Sequence, residues 1–223
     1  MKAWRQQELK FRTRGGKRLR AGRRRVPGRG RVAHRVRLEH KKAHPVHVTL
    51  RAGSRLPSLR KQLVFDEMRR AIGRTARAWF RIVHYSVQAD HVHLLVEADD
   101  KTSLSRGLTG VVIRLARAVN RAARRQGKVW QDRYHARALG TPREVRHGIV
   151  YVLMNWKKHV PGAKGLDRCS SALSFTGWIA HPSSGPPDSV EPPTTWLLRT
   201  GWKRHGLLAT SERPRNSLVV EQD

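Results

Sequence analysis

Two β-rich runs, FRIVHYSV and HVHLLVEA, stand end to end with only the polar turn Gln88-Ala89-Asp90 between them. So short a link makes them the two strands of an antiparallel hairpin, and every other segment has to be arranged around that hairpin. Ahead of it, HPVHVTLRA alternates Val46, Val48 and Leu50 with His47, Thr49 and Arg51, the period-two pattern of a half-buried strand. The next stretch sets Leu63, Met68, Ile72 and Trp79 at roughly helical spacing. Behind the hairpin, Leu104, Leu108, Val111, Leu115, Val119 and Ala122 keep one apolar stripe along a long helix that stops at Gly127. KVWQDRYHARAL then reads as a fourth strand. The final helix has Thr141 as N-cap, Pro142 at its first position and Glu144 completing a capping box. It is predicted to run through VRHGIVYVLMNWKKH and to end before Pro161.

The order β-α-β-β-α-β implies an α+β fold. The expectation is a ferredoxin-like antiparallel sheet with helices on one face, the other face free, and one additional C-terminal helix. This domain is expected over residues 43–165. Residues 1–42 form a basic arm with too few apolar groups to bury, and 166–223 a Pro- and Ser-rich tail. Within the tail, TWLLRTGWKRHGLL is an island with the makings of a short helix.

Charge narrows the partner. Lys and Arg number 47 against 16 acidic residues, a formal net charge of +31, an excess that suits a polyanion. An anionic membrane fits less well, because no long uncharged apolar segment exists. Cys169 is the only cysteine, which excludes a disulfide framework and a cysteine-based zinc site. The opening MKAWRQQELKF has no apolar core behind it, so no secretory signal is expected, and a reduced cytoplasmic, nucleoid-associated setting follows. On the long helix, Arg114, Arg117, Arg121, Arg124 and Arg125 lie largely outside the apolar stripe and are the candidate DNA contacts.

In HVHLLV, residues two apart share a face, so His91 and His93 present two imidazoles together while Val92 and Leu94 turn to the core. Two histidines on a solvated sheet face are the alternative reading. A metal site needs a third donor, and on the final helix Tyr151 and Asn155, four apart, share a face beside the apolar stripe of Val145, Ile149, Val152 and Trp156. An amide oxygen with two imidazoles leaves coordination positions open for a phosphate oxygen, and a tyrosine hydroxyl beside that phosphate can attack phosphorus. Of the other tyrosines, Tyr85 shares strand parity with Val83 and Val87 and is expected in the core. Tyr134, in the fourth strand, is expected to pack or to stack on bases. By the same parity Phe80 and Tyr85 fall on opposite faces.

These residues carry a resemblance. HVHLLV resembles the histidine-hydrophobe-histidine motif of the HUH single-tyrosine, IS200-like transposases. YVLMN, Tyr151 to Asn155, is similar to the tyrosine helix of their REP-associated branch, in which a proline commonly follows the asparagine; here Trp156 stands in that place. VWQDRYHARAL looks like the strand before that helix, and the resemblance spans roughly Pro45 to Val160. It implies a metal-dependent enzyme that nicks and rejoins single-stranded or hairpin DNA through a phosphotyrosine, working as a monomer or homodimer. Tyr151 would be the nucleophile, and His91, His93 and Asn155 the ligands of Mg²⁺ or Mn²⁺. The competing readings are a non-catalytic basic DNA- or RNA-binding protein on the same fold, and a domesticated relative that has lost cleavage.

Overall fold

The computed structural model describes residues 39–160, 162–180 and 189–214. The expected arm lies outside the described residues except for 39–42. Four strands, β1 (Val46–Arg51), β2 (Phe80–Val87), β3 (His91–Ala98) and β4 (His135–Ala138), form one antiparallel sheet in the order β2-β3-β1-β4. Helices α1 (Gln62–Gly73) and α2 (Lys101–Ala122) follow β1 and β3, and α3 (Pro142–Leu153) follows β4. That is the ferredoxin-like order with the tyrosine on the added helix.

The first core lies between the sheet and α1 and α2. Val48, Leu50, Val92, Leu94 and Val96 meet Val64, Met68 and Ile72 of α1 and Leu108, Val111, Leu115 and Val119 of α2. The stripe on α2 is therefore the expected one. On α1 it is not: Leu63 is exposed and Trp79 lies beyond the helix, while Val64 and Phe65 are buried instead. The helix ends at Gly73 because Thr75 folds back, its amide and hydroxyl both donating to the carbonyl of Ile72.

Gly107 allows α2 to approach β2. A Cβ placed there would lie 2.2 Å from the ring of Phe80, which is itself buried. Gly107→Ala gains about 1 kcal/mol of helix propensity but overpacks a rigid ring, at about 1–3 kcal/mol or more. The expected result is a net loss of stability, measurable as a lower denaturant midpoint with an unchanged slope.

The second face of the sheet is not free. Val83 and Leu95 pack there against Val145, Ile149, Val152 and Leu153 of α3 and against Phe175, Trp178, Leu197, Leu198, Trp202 and Leu208. The expected tail thus builds half of a second core. Its island forms a short helix, α4 (Trp196–Arg199), and a 3-10 turn, Gly201–His205. Polar anchors fix it: Arg60 makes a two-pronged bond to Asp167, at 2.8 and 2.7 Å, and Glu97 accepts from the amides and hydroxyls of Thr194 and Thr195.

A bulge in β2 between Ile82 and His84 corrects the expected parity. Val83 joins the second core, whereas Tyr85 and Val87 return to the first, beside Phe80. One extra residue on the bulged strand reverses the faces downstream of it. β4 is also shorter than KVWQDRYHARAL, and Tyr134 precedes it, packed against the first core.

Candidate functional site

Strand alternation sends His91, His93 and Leu95 to the second face, the face α3 crosses. α3 begins at the capping box of Thr141 and Glu144 and closes on the sheet at Gly148, where a Cβ would meet Leu139 at 2.7 Å. This brings the Tyr151 ring edge-on to His93, with centroids 5.1 Å apart, while His91 and His93 sit 4.8 Å apart. α3 stops at Leu153, earlier than predicted, and a 3-10 turn, Asn155–Lys158, continues the chain. The tail captures this turn: the buried Lys157 ammonium donates to the Thr210 carbonyl, and Arg213 donates to the Lys157 carbonyl. The turn buries Asn155, whose Oδ1 is 3.2 Å from His159 Nε2.

His91, His93, Tyr151 and Asn155 are thus gathered at one place on the second face. Three further side chains join them. His47 on β1 lies 5.2 Å from His93 and 5.3 Å from Tyr151, ring to ring; His159 lies 5.3 Å from His91; and the Lys158 ammonium stands 4.3 Å over the Tyr151 ring. His159 was legible in principle, since Tyr151, Asn155 and His159 repeat at intervals of four. His47 was not, because nothing local in β1 says that it pairs with β3.

Hydrogen bonds orient both imidazoles of the pair. His91 Nδ1 is 2.7 Å from the Asp90 carboxylate, a contact that in a neutral ring draws the proton to Nδ1 and turns Nε2 outward as the binding nitrogen. His93 Nδ1 faces Thr49 Oγ1 at 3.1 Å and His47 Nε2 at 3.2 Å, and its Nε2 is buried with no partner. Burial, then the neighbouring His47, His91, Lys158 and His159, pushes His93 well below the ordinary imidazole pKa. Burial, with His135 and the Arg137 guanidinium nearby, lowers His47 to about 3. Both rings are therefore neutral at physiological pH, the form in which imidazole binds a metal. Burial raises the pKa of Tyr151, and a hydrogen bond from Asn155 works against that by favouring the phenolate.

The donors that could hold a divalent ion are His91, His93 and the amide oxygen of Asn155. Among the described residues, no group of three or more His, Cys, Asp and Glu side chains is placed to do so. The unpartnered Nε2 of His93 fits a cation: a buried acceptor without a donor costs about 1–3 kcal/mol, which coordination would recover.

The arginines lie elsewhere. α2 covers the opposite face of the sheet, so the structure does not bring Arg114, Arg117, Arg121, Arg124 and Arg125 to Tyr151. Arg121 is held by Glu67 of α1, and Arg125 donates to Asn120 and to the Lys128 carbonyl; Arg117 and Arg124 are exposed. Tyr85 is buried in the first core and Tyr134 packs against it, leaving Tyr151 as the tyrosine on the histidine face. Among the described residues, no helix is long and apolar enough to cross a membrane.

No curated protein matches the chain. Among solved structures it aligns with one described as the structure of the REP-associated tyrosine transposase bound to a REP hairpin. The identity is 21%, the alignment covers 57% of this chain and 74% of that one, and the TM-score is 0.47. Residues 40–152, 113 of the 223, match the family described as "Transposase IS200 like", and with more than half of its length inside that match the chain belongs to the IS200-like transposase family.

Proposed function

We propose that the protein nicks and rejoins single-stranded DNA beside hairpins, with Tyr151 as nucleophile and His91, His93 and Asn155 as the ligands of Mg²⁺ or Mn²⁺. One observation carries the reading: Tyr151 meets the histidine pair at the place where the Nε2 of His93 is buried and unpartnered. The hairpin preference rests on the likeness of HVHLLV and YVLMN to the REP-associated branch.

In this reading the hydroxyl oxygen of Tyr151 forms a bond to phosphorus and one bridging phosphorus–oxygen bond breaks. The phenolic proton passes to water, and the departing sugar oxygen takes one up. A divalent cation, when bound, polarises the phosphate as a Lewis acid. Attack of a sugar hydroxyl on the phosphotyrosine reverses the bond changes and joins the strands. Asn155 and the Lys158 ammonium favour the phenolate as it forms. The exposed Arg117 and Arg124, with Arg114, serve as phosphate contacts on the far side of the sheet, and their share of the affinity weakens as salt rises.

The test is a pool of single-stranded hairpins incubated with the protein and Mn²⁺, scored for a covalent protein–DNA adduct. His91→Ala and His93→Ala are each expected to lose Mn²⁺-dependent adduct while keeping hairpin affinity within about threefold, since phosphate contacts dominate binding. Adduct formation by either variant at the parent's rate removes the metal from the reading.

A further inference from the structure

His47 is buried, touches both the tyrosine and one histidine of the pair, and has no part in the reaction described above. We infer that His47 is a positioning residue: with Thr49 it receives the Nδ1 proton of His93, and so keeps the Nε2 of His93 unprotonated. The inference rests on the reading of His93 as a ligand, although its first readout needs no metal.

The argument is one of proton placement. A neutral imidazole carries a single N–H. On Nε2 of His93, that proton would be a buried donor with nothing to receive it. On Nδ1 it has two acceptors in range, His47 Nε2 at 3.2 Å and Thr49 Oγ1 at 3.1 Å. A hydroxyl turns to donate or to accept, so Thr49 alone does not choose between tautomers. A lone pair on His47 Nε2 does choose, because it can only accept. The opposite assignment, with His47 donating, would put the proton on the one atom of the four ring nitrogens that is buried without a partner and close it to a cation. An unprotonated Nε2 instead has its cost recovered by coordination. Register makes the contact possible. Thr49 stands directly opposite His93, and His47, two residues earlier on the same face of β1, stands opposite Leu95 and reaches His93 diagonally. The two rings lie 25° from parallel.

His47→Phe keeps a ring between His93 and Tyr151 but removes the acceptor, and His47→Gln restores an acceptor as an amide oxygen. In metal-free protein, long-range ¹H–¹⁵N spectra of the imidazoles are expected to show His93 as the Nδ1–H tautomer. His47→Phe is expected to show a mixture, and His47→Gln a return towards the parent. Titration with Mn²⁺ alone, read by water proton relaxation, is expected to give an affinity about 10- to 100-fold weaker for His47→Phe, the usual effect of removing a group that orients a ligand, with partial recovery in His47→Gln. A parent that binds Mn²⁺ beside a His47→Phe with the same tautomer and affinity overturns the inference. A parent that takes up no Mn²⁺ overturns the metal reading of the site instead, and the tautomer spectra then decide His47 separately. If His47→Phe fails to fold, the spectra of His47→Gln decide: a His93 carrying its proton on Nε2 there, or in the parent, overturns the inference.

Discussion

Tyr151→Phe is expected to form no covalent adduct with hairpin DNA above background, yet to melt close to the parent and to bind the same DNA. The substitution removes the tyrosine hydroxyl on the histidine face and leaves the ring. The ring keeps its edge contacts to His47 and His93 and its place under the Lys158 ammonium. What the fold loses is the hydrogen bond that the hydroxyl oxygen accepts from Asn155, worth about 0.5–1.5 kcal/mol. A variant that unfolds would therefore point to a structural tyrosine. Tyr85→Phe and Tyr134→Phe are expected to retain adduct formation, because those rings belong to the core on the far side of the sheet. Peptide mass spectrometry of the parent adduct is expected to place the DNA on the peptide holding Tyr151. An adduct on Tyr85 or Tyr134 relocates the nucleophile, and cleavage by Tyr151→Phe at the parent's rate replaces it with water.

What the sequence disclosed about this site follows from the range of each signal. The capping box of Thr141 and Glu144, the stripe on α2 and the shared face of His91 and His93 are local patterns, and each appears where the residues put it. Parity in β2 failed at the bulge, since whether a strand carries an extra residue depends on the register of its partner. The covered second face left a trace that was misread. In HLLVEA, Leu94 and Leu95 are adjacent, and a strand apolar on both sides is one buried on both sides. The covering groups Trp178 and Trp202 come from a stretch rich in proline and serine, which disguised them as tail. The same stretch supplies Thr210 and Arg213, which hold the 3-10 turn that carries Asn155, so part of the site's support sits where composition suggested none.

Histidines kept neutral by the fold give the second large effect: stability is expected to fall by several kcal/mol between pH 7.5 and pH 5.0. His47, lowered to about 3, and His84, lowered to about 4 by burial, both titrate in the folded chain far below the ordinary imidazole value of 6.5. The unfolded chain binds these protons first as pH drops, so acid favours unfolding. The stability they contribute is fully present above about pH 6.5 and is lost as pH falls through 6.5 towards the folded values. A fully shielded ring costs about 1.4 kcal/mol per pH unit in that window. The buried His47 meets that limit, the half-buried His84 contributes less, and His93, lowered chiefly by burial, adds a loss of the same sign. Carboxylates held by partners, such as Glu144 in its capping box, bring their losses nearer pH 4, so the window above 5 isolates the imidazoles. His84 is the cleaner probe, being distant in sequence from the proposed ligands and enclosed by Ser171 and Phe175. His84→Gln is expected to lose stability at pH 7.5 yet to show a smaller decline than the parent on acidification, measured as denaturant midpoints at the two pH values. A parent equally stable at pH 7.5 and 5.0 would mean that both rings take up protons without unfolding, and that neither is kept neutral by burial.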